Sequence, residues 1–306
     1  DAGLADLALT RPIALMEVIG KLFEKILFDR ILKVIVGNEM LDTSQHGGLA
    51  DRSTASPMHN LAEAMQDAQA SGQELHIVSA DLSKAFDTLE HWSQVMSWRA
   101  LGMPREMAEM LMRMDQEGET AVILGQGRTT ADKEVLGEAG WFKSERGVRQ
   151  GSIGGPVKWI VYMNFWLKYM HIKHKGQGYE MSAAPKGDCE LLGQMFIDDS
   201  NWFSNSSEGI QAMLASNETF VDFHGLSFNK KKCEYIVINQ RSHEAWMRPR
   251  WSTGQTLVET IRVLRDKPGK MGTPSKCSQH CKGNDPHALG CPGHNCTDCV
   301  EMPTST

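Results

Sequence analysis

Two groups of carboxylates close two apolar runs of this chain. Leu75 to Val78 leads through Ser79 and Ala80 to Asp81, with Asp87 shortly after, and Leu191 to Ile197 leads to the doublet Asp198-Asp199. A buried strand that ends in ionised Asp leaves charge beside a core unless something positive meets it. Two divalent ions about 3.5–4 Å apart, held by carboxylate oxygens, would meet it and would also neutralise the charge that grows during phosphoryl transfer. Asp81 and Asp198 on adjacent strands of one sheet form the smallest such cage, with Asp199 beside them. Each group also has a plainer reading. Asp198-Asp199-Ser200-Asn201 is turn composition, and Ser83 after Asp81 suits a strand exit that caps a helix.

The elements needed to hold these groups are visible as periodicity. Ile19, Leu22, Phe23, Ile26, Leu27 and Ile31 repeat at helical spacing up to Gly37, and Met58, Leu61, Ala62 and Met65 do so after Pro57. Leu75 to Ala80 predicts a strand, and Trp92 to Asp115 predicts two helices broken at Gly102-Met103-Pro104. Ala121 to Leu124 predicts another strand, and a Gly-rich loop then leads into the apolar stretch Val157 to Leu167. Ile210 to Phe223 predicts a helix stopped by Gly225, and Tyr235 to Ile238 returns as a strand. Helix pairs alternating with buried strands give an α+β fold, an antiparallel sheet packed on helices.

Six segments in a fixed order carry a family likeness. They are Arg11-Pro12-Ile13-Ala14-Leu15 running into Gly20 to Leu27; Gln45-His46-Gly47-Gly48-Leu49-Ala50-Asp51-Arg52-Ser53-Thr54; Asp81 to Asp87; Gly147-Val148-Arg149-Gln150-Gly151 on to Pro156; Phe196-Ile197-Asp198-Asp199; and Gly225-Leu226-Ser227-Phe228-Asn229-Lys230-Lys231-Lys232. Together they resemble the fingers and palm of a reverse transcriptase from a non-LTR (LINE-type) retrotransposon, over roughly residues 11 to 264. The resemblance implies fingers in residues 1–74 and a palm in 75–240 with an inserted fingers segment around 120–150. A primer-grip remnant would follow in 241–266; beyond it, the Gly, Pro, Ser, Thr and Cys composition of 267–306 predicts a poorly ordered Cys/His tail.

The same resemblance implies site roles and ligands. Asp81, Asp198 and Asp199 would bind two Mg²⁺ or Mn²⁺ ions, and Lys232 would stand near the departing pyrophosphate. Phe86 would lie beneath the incoming sugar and block a 2′-hydroxyl; an ordinary core aromatic is the other reading. Gln150 and Gly151 would touch the nascent base pair and template, in a loop whose residues otherwise read as a turn before a buried helix. Arg52 and Arg11 would face the triphosphate and template, since Arg holds phosphate bidentately. The implied partners are an RNA template, a DNA primer and dNTPs, acting in the nucleus. Departures from the family include Phe196-Ile197 where Tyr and Ala are commoner, Gly154-Gly155 before Pro156, Arg265 where Gly is expected, and no helical thumb after Lys267.

Composition adds one objection. The 306 residues carry 32 Lys and Arg against 38 Asp and Glu, a net charge of −6, which opposes an open electrostatic grip on nucleic acid. The charge is uneven: Ser227 to Lys270 holds ten basic and four acidic residues. No run of about 18 apolar residues occurs, so no membrane span is expected. The start at Asp1 rather than Met reads as a piece of a longer protein. Five of seven cysteines lie in the tail, and Cys291, Cys296 and Cys299 with an upstream Cys or His could enclose Zn²⁺; a disordered segment or mis-spliced coding sequence is the alternative. Three functions follow: an RNA-directed DNA polymerase, an inactive remnant that binds nucleic acid with or without zinc, and an RNA-synthesising polymerase sharing the palm.

Overall fold

The structure is a computed structural model that describes residues 15–49, 52–120, 142–149, 151–182, 185, 189–240 and 249–264. The segment Ala121 to Leu124, Arg11, Gln150 and the cysteines of the tail lie outside the described residues. A five-stranded sheet carries the molecule: β1 (Leu75–Ala80), β6 (Gly193–Phe196), β7 (Asp199–Ser204), β8 (Glu234–Gln240) and β9 (Val258–Leu264) lie in the order β6-β7-β1-β8-β9. All neighbours are antiparallel except β8 and β9, which run parallel. Two small pairs stand apart, β2 (Glu119–Thr120) with β3 (Phe142–Lys143), and β4 (Tyr179–Glu180) with β5 (Glu190–Leu191).

Strand β1 is central and covered on both faces, so its apolar residues divide by parity. Leu75 and Ile77 join Ala64 and Ala68 of α2 (Ala55–Ser71), while Val78 and Ala80 join the larger core on the other side. That larger core is built on α6 (Gly155–Lys173) and α7 (Ser207–Phe223). Trp159, Tyr162, Met163, Trp166, Leu167 and Met170 of α6 are all fully buried, as expected of a helix that is apolar nearly all round. Pro156 sits at the start of α6, where its missing N–H costs nothing. Ser206 caps α7 by accepting from the Gly209 N–H.

A third cluster joins α1 (Val18–Gly37), α4 (His91–Ala100), α5 (Arg105–Gln116) and α6 through Phe28, Ile31, Ile35, Trp98, Leu111 and Val161. A short helix α3 (Ala85–Thr88) precedes α4. The break at Gly102-Met103-Pro104 falls between α4 and α5 as predicted. Two expectations differ. In α1 the buried face is Glu24, Phe28, Ile31 and Ile35, and Ile19, Leu22, Phe23 and Ile26 are exposed. The helix is rotated because Glu24 turns inward to accept hydrogen bonds from Ser152 Oγ (2.8 Å) and the Ile153 (2.9 Å) and Gly154 (3.3 Å) N–H groups, a carboxylate at the start of α6. The run Leu191 to Ile197 is not one strand: Leu191 pairs with Tyr179 in β5, and β6 begins at Gly193. Among the described residues no helix is long and apolar enough to cross a membrane.

Candidate active site

The acidic residues meet through sheet register. Ala80 pairs with Ser200 and Ser79 with Asn201, so one step further the ladder sets Asp81 across from Asp199. The Ser200 hydroxyl donates to the Ala80 carbonyl (3.2 Å) at this edge. Asp199 is thus set across from Asp81, and Asp198 lies with Ile197 in the two-residue turn between the paired Phe196 and Asp199. Burial and the Asp81 charge both push the Asp199 carboxyl above its ordinary value, and Lys232 pulls it back. Lys232 Nζ stands 3.7 Å from Asp81 Oδ2 on a side chain that is 66% exposed.

Lys232 reaches this edge because its segment is sewn to β1. The Ser83 N–H donates to the Ser227 carbonyl (2.8 Å), and the Asn229 N–H donates to the Asp81 carbonyl (2.8 Å). The Lys232 N–H then closes a turn on the Asn229 carbonyl (2.8 Å). Two distant motifs therefore share one backbone frame.

The acidic turn is strained and clamped. Ile197 has φ of 60°, a left-handed conformation that a β-branched residue avoids. Such a cost persists only where surroundings over-determine it. The fully buried Gln45 accepts the Ile197 N–H at Oε1 (3.2 Å), and the Trp159 indole N–H donates to the Ile197 carbonyl (3.0 Å). Main-chain bonds from His46 N–H to the Met195 carbonyl and from Met195 N–H to the Ser44 carbonyl, both 2.8 Å, fasten the 44–49 loop to the same hairpin. Gly47 is required by that closeness: a Cβ there would sit 2.5 Å from the Ile197 nitrogen.

The other expected residues gather around these. Phe86, partly buried, stacks on Trp159 with ring centroids 5.2 Å apart. The Val148 N–H donates to the Phe86 carbonyl (2.7 Å), and Gly147, at φ of 88°, approaches so near that a Cβ would lie 2.8 Å from the Asp87 carbonyl oxygen. Gly151 is exposed, at φ of 110°. Arg52 is half-buried and its Nη1 donates to the carbonyls of Thr43 (3.0 Å) and Gln45. A cleft of about 210 Å³ opens beside Asp199, lined by Thr54, Pro57, Leu61, Phe196 and Asn201.

Among the described residues no three His, Cys, Asp or Glu side chains converge as a finished metal cage. The donors present nevertheless suit a hard divalent cation. Two carboxylates face each other across a ladder, one of them with its proton affinity raised by burial and by the other's charge, and a third lies at the adjoining turn.

A family model described as reverse transcriptase (RNA-dependent DNA polymerase) matches residues 6–269. The chain belongs to the reverse transcriptase family. It is 27% identical over 241 residues to a Pol polyprotein of the type-1 retrotransposable element R2 from Nasonia vitripennis, covering 78% of this chain and 21% of that protein. It is 25% identical over 228 residues to the R2DM polyprotein from Drosophila melanogaster, covering 74% of this chain and 20% of that protein. This reverse transcriptase domain is therefore of the non-LTR retrotransposon kind and spans about a fifth of the polyproteins it matches. A solved apo telomerase from Candida tropicalis, truncated from its C-terminal domain, has the same fold: TM-score 0.51 at 14% identity, covering 72% of this chain and 41% of that one. The α+β fingers and palm expected from the motifs agree with this likeness.

Sequence reasoning missed Trp159 and Gln45 as the clamp of the turn. Gln45 opens one of the recognised motifs and was a visible signal. Trp159 offered none, since a Trp in an apolar run reads as core.

Proposed function

We propose that this chain is the fingers (residues 1–74) and palm (75–240) of an RNA-directed DNA polymerase that extends a DNA primer on an RNA template. The observation that supports it most is the register that sets Asp81 across from Asp199 with Lys232 beside them. Asp81, Asp198 and Asp199 would hold two Mg²⁺ or Mn²⁺ ions, which when bound acidify the primer 3′-hydroxyl and neutralise the charge on the α-phosphate. The 3′-oxygen forms its bond to the α-phosphorus as the bond to the β-phosphate oxygen breaks, releasing pyrophosphate.

The chain's own residues orient that exchange. The clamped turn at Ile197 keeps Asp198 and Asp199 from drifting, so little reorganisation remains when substrate arrives. Lys232, exposed and at the Asp81 edge, offsets charge on the leaving pyrophosphate and offers it a proton. Phe86, backed by Trp159, lies under the sugar and crowds a 2′-hydroxyl. With Nη1 spent on loop carbonyls, Arg52 brings the rest of its donor fork to the triphosphate. Gln150 and Gly151 meet the template base pair. The cleft at Asp199 admits the primer terminus.

Primed extension on an RNA template with Mg²⁺ or Mn²⁺, first with dNTPs and then with rNTPs, tests this reading. Incorporation of dNTPs by the wild type and its loss in Asp198→Asn are expected. Salt-dependent binding of primer and template without any incorporation would identify a nucleic-acid-binding remnant instead. Equal use of rNTPs would identify an RNA-synthesising palm.

A further inference from the structure

Trp159 is a side chain that touches two parts of the site. Its ring lies against Phe86 (5.2 Å between centroids, 28° between planes), and its indole N–H reaches the carbonyl of Ile197 (3.0 Å). It is fully buried and packs against Tyr162, with centroids 5.6 Å apart. Phe86 belongs to the short helix after Asp81, whereas Ile197 precedes Asp198-Asp199, so these contacts span both acidic motifs. A phenyl ring at this position could reproduce the stacking but has no N–H to donate.

We infer that Trp159 is a positioning residue with two separable duties, setting the sugar selectivity of Phe86 with its ring face and setting the acidic turn with its indole N–H. This rests on the polymerase reading of the site. The ring face limits how far Phe86 can retreat from a 2′-hydroxyl, because two stacked aromatics in a close-packed core leave no slack. The N–H holds a carbonyl whose residue is in an unfavourable backbone conformation, so its loss lets the turn relax and moves the carboxylates that follow. One residue thereby affects two kinetic quantities that a purely structural tryptophan would not divide.

The test compares wild type, Trp159→Phe and Trp159→Leu in single-nucleotide primer extension, reading kcat and the ratio of kcat/KM for dNTP to that for rNTP, with thermal unfolding as the fold check. Trp159→Phe should lower kcat about tenfold, the scale of one lost hydrogen bond, with the sugar ratio held within about twofold. Trp159→Leu should lower kcat similarly and also lower the sugar ratio about tenfold or more. A Trp159→Phe kcat equal to that of wild type overturns the inference whether or not the leucine variant folds. A folded Trp159→Leu enzyme with the wild-type sugar ratio overturns it as well. Failure of the underlying reading is distinguished by the wild type, which would then incorporate no nucleotide or show no sugar preference at all.

Discussion

Two aspartate–lysine pairs in this molecule have the same chemistry and opposite circumstances. Asp115 and Lys158 meet in the interior with both carboxylate oxygens 2.8 Å from Nζ, their side chains 3% and 0% exposed. Asp81 and Lys232 stand 3.7 Å apart at the sheet edge, with the lysine open to water. The first pair ties α5 to α6, and its energy is set by desolvation: burial pushes the Asp115 carboxyl up while Lys158 opposes it. The second pair is loose and screened, which leaves its charges available to a ligand. Short distance and burial mark a fastener. A longer distance at a hydrated edge marks a group that can change partners.

The contrast breaks most readily at the interior pair. Lys158→Met should cost about 3–5 kcal/mol in urea unfolding, because it strands a buried carboxylate, and adding Asp115→Leu should recover most of that loss. Next, Asp81→Asn should lower primer extension by about 10²–10³-fold while the unfolding free energy moves by less than about 1 kcal/mol. A comparable stability loss in both variants would erase the distinction between the two pairs.

A buried titratable group whose pKa is set by burial alone among the described residues should behave differently again. Burial among Phe220, Trp92, Tyr162 and Phe223 brings the His224 imidazole down to about 4. A depressed histidine favours the folded state above its unfolded value near 6.5, and that stability drains away as pH falls toward 4. His224→Leu should remove about 2 kcal/mol of this acid-side loss, after allowing for solvent screening, as read from unfolding curves at pH 7 and pH 4. Smallest of all, Lys232→Met should lower kcat about tenfold and leave stability unchanged within about 0.5 kcal/mol.

Much of this fold was legible because its cues are local. The apolar run from Leu75 to Val78, Pro57 at the start of α2 and the Gly102-Met103-Pro104 break each act within a few residues. The pair of acidic motifs was legible too, but not which aspartate faces Asp81, because that depends on β7 rather than β6 adjoining β1. The inward turn of α1 was hidden for a similar reason. Glu24 looks like a surface charge until its donors, Ser152 and Ile153, nearly 130 positions away in the chain, are brought to it. Lys158 sits within the apolar stretch Val157 to Leu167, and its partner Asp115 lies 43 positions earlier in the chain. Long-range partnership is what spacing does not encode.

The contact at Gly47 has a mechanical consequence. With no room for a single methyl between the 44–49 loop and the tip of the acidic hairpin, and with main-chain bonds on either side, the loop and hairpin travel as one body. Any hinge that moves the N-terminal helices must lie outside this seam, or each opening stroke would drag Asp198 and Asp199 along with it.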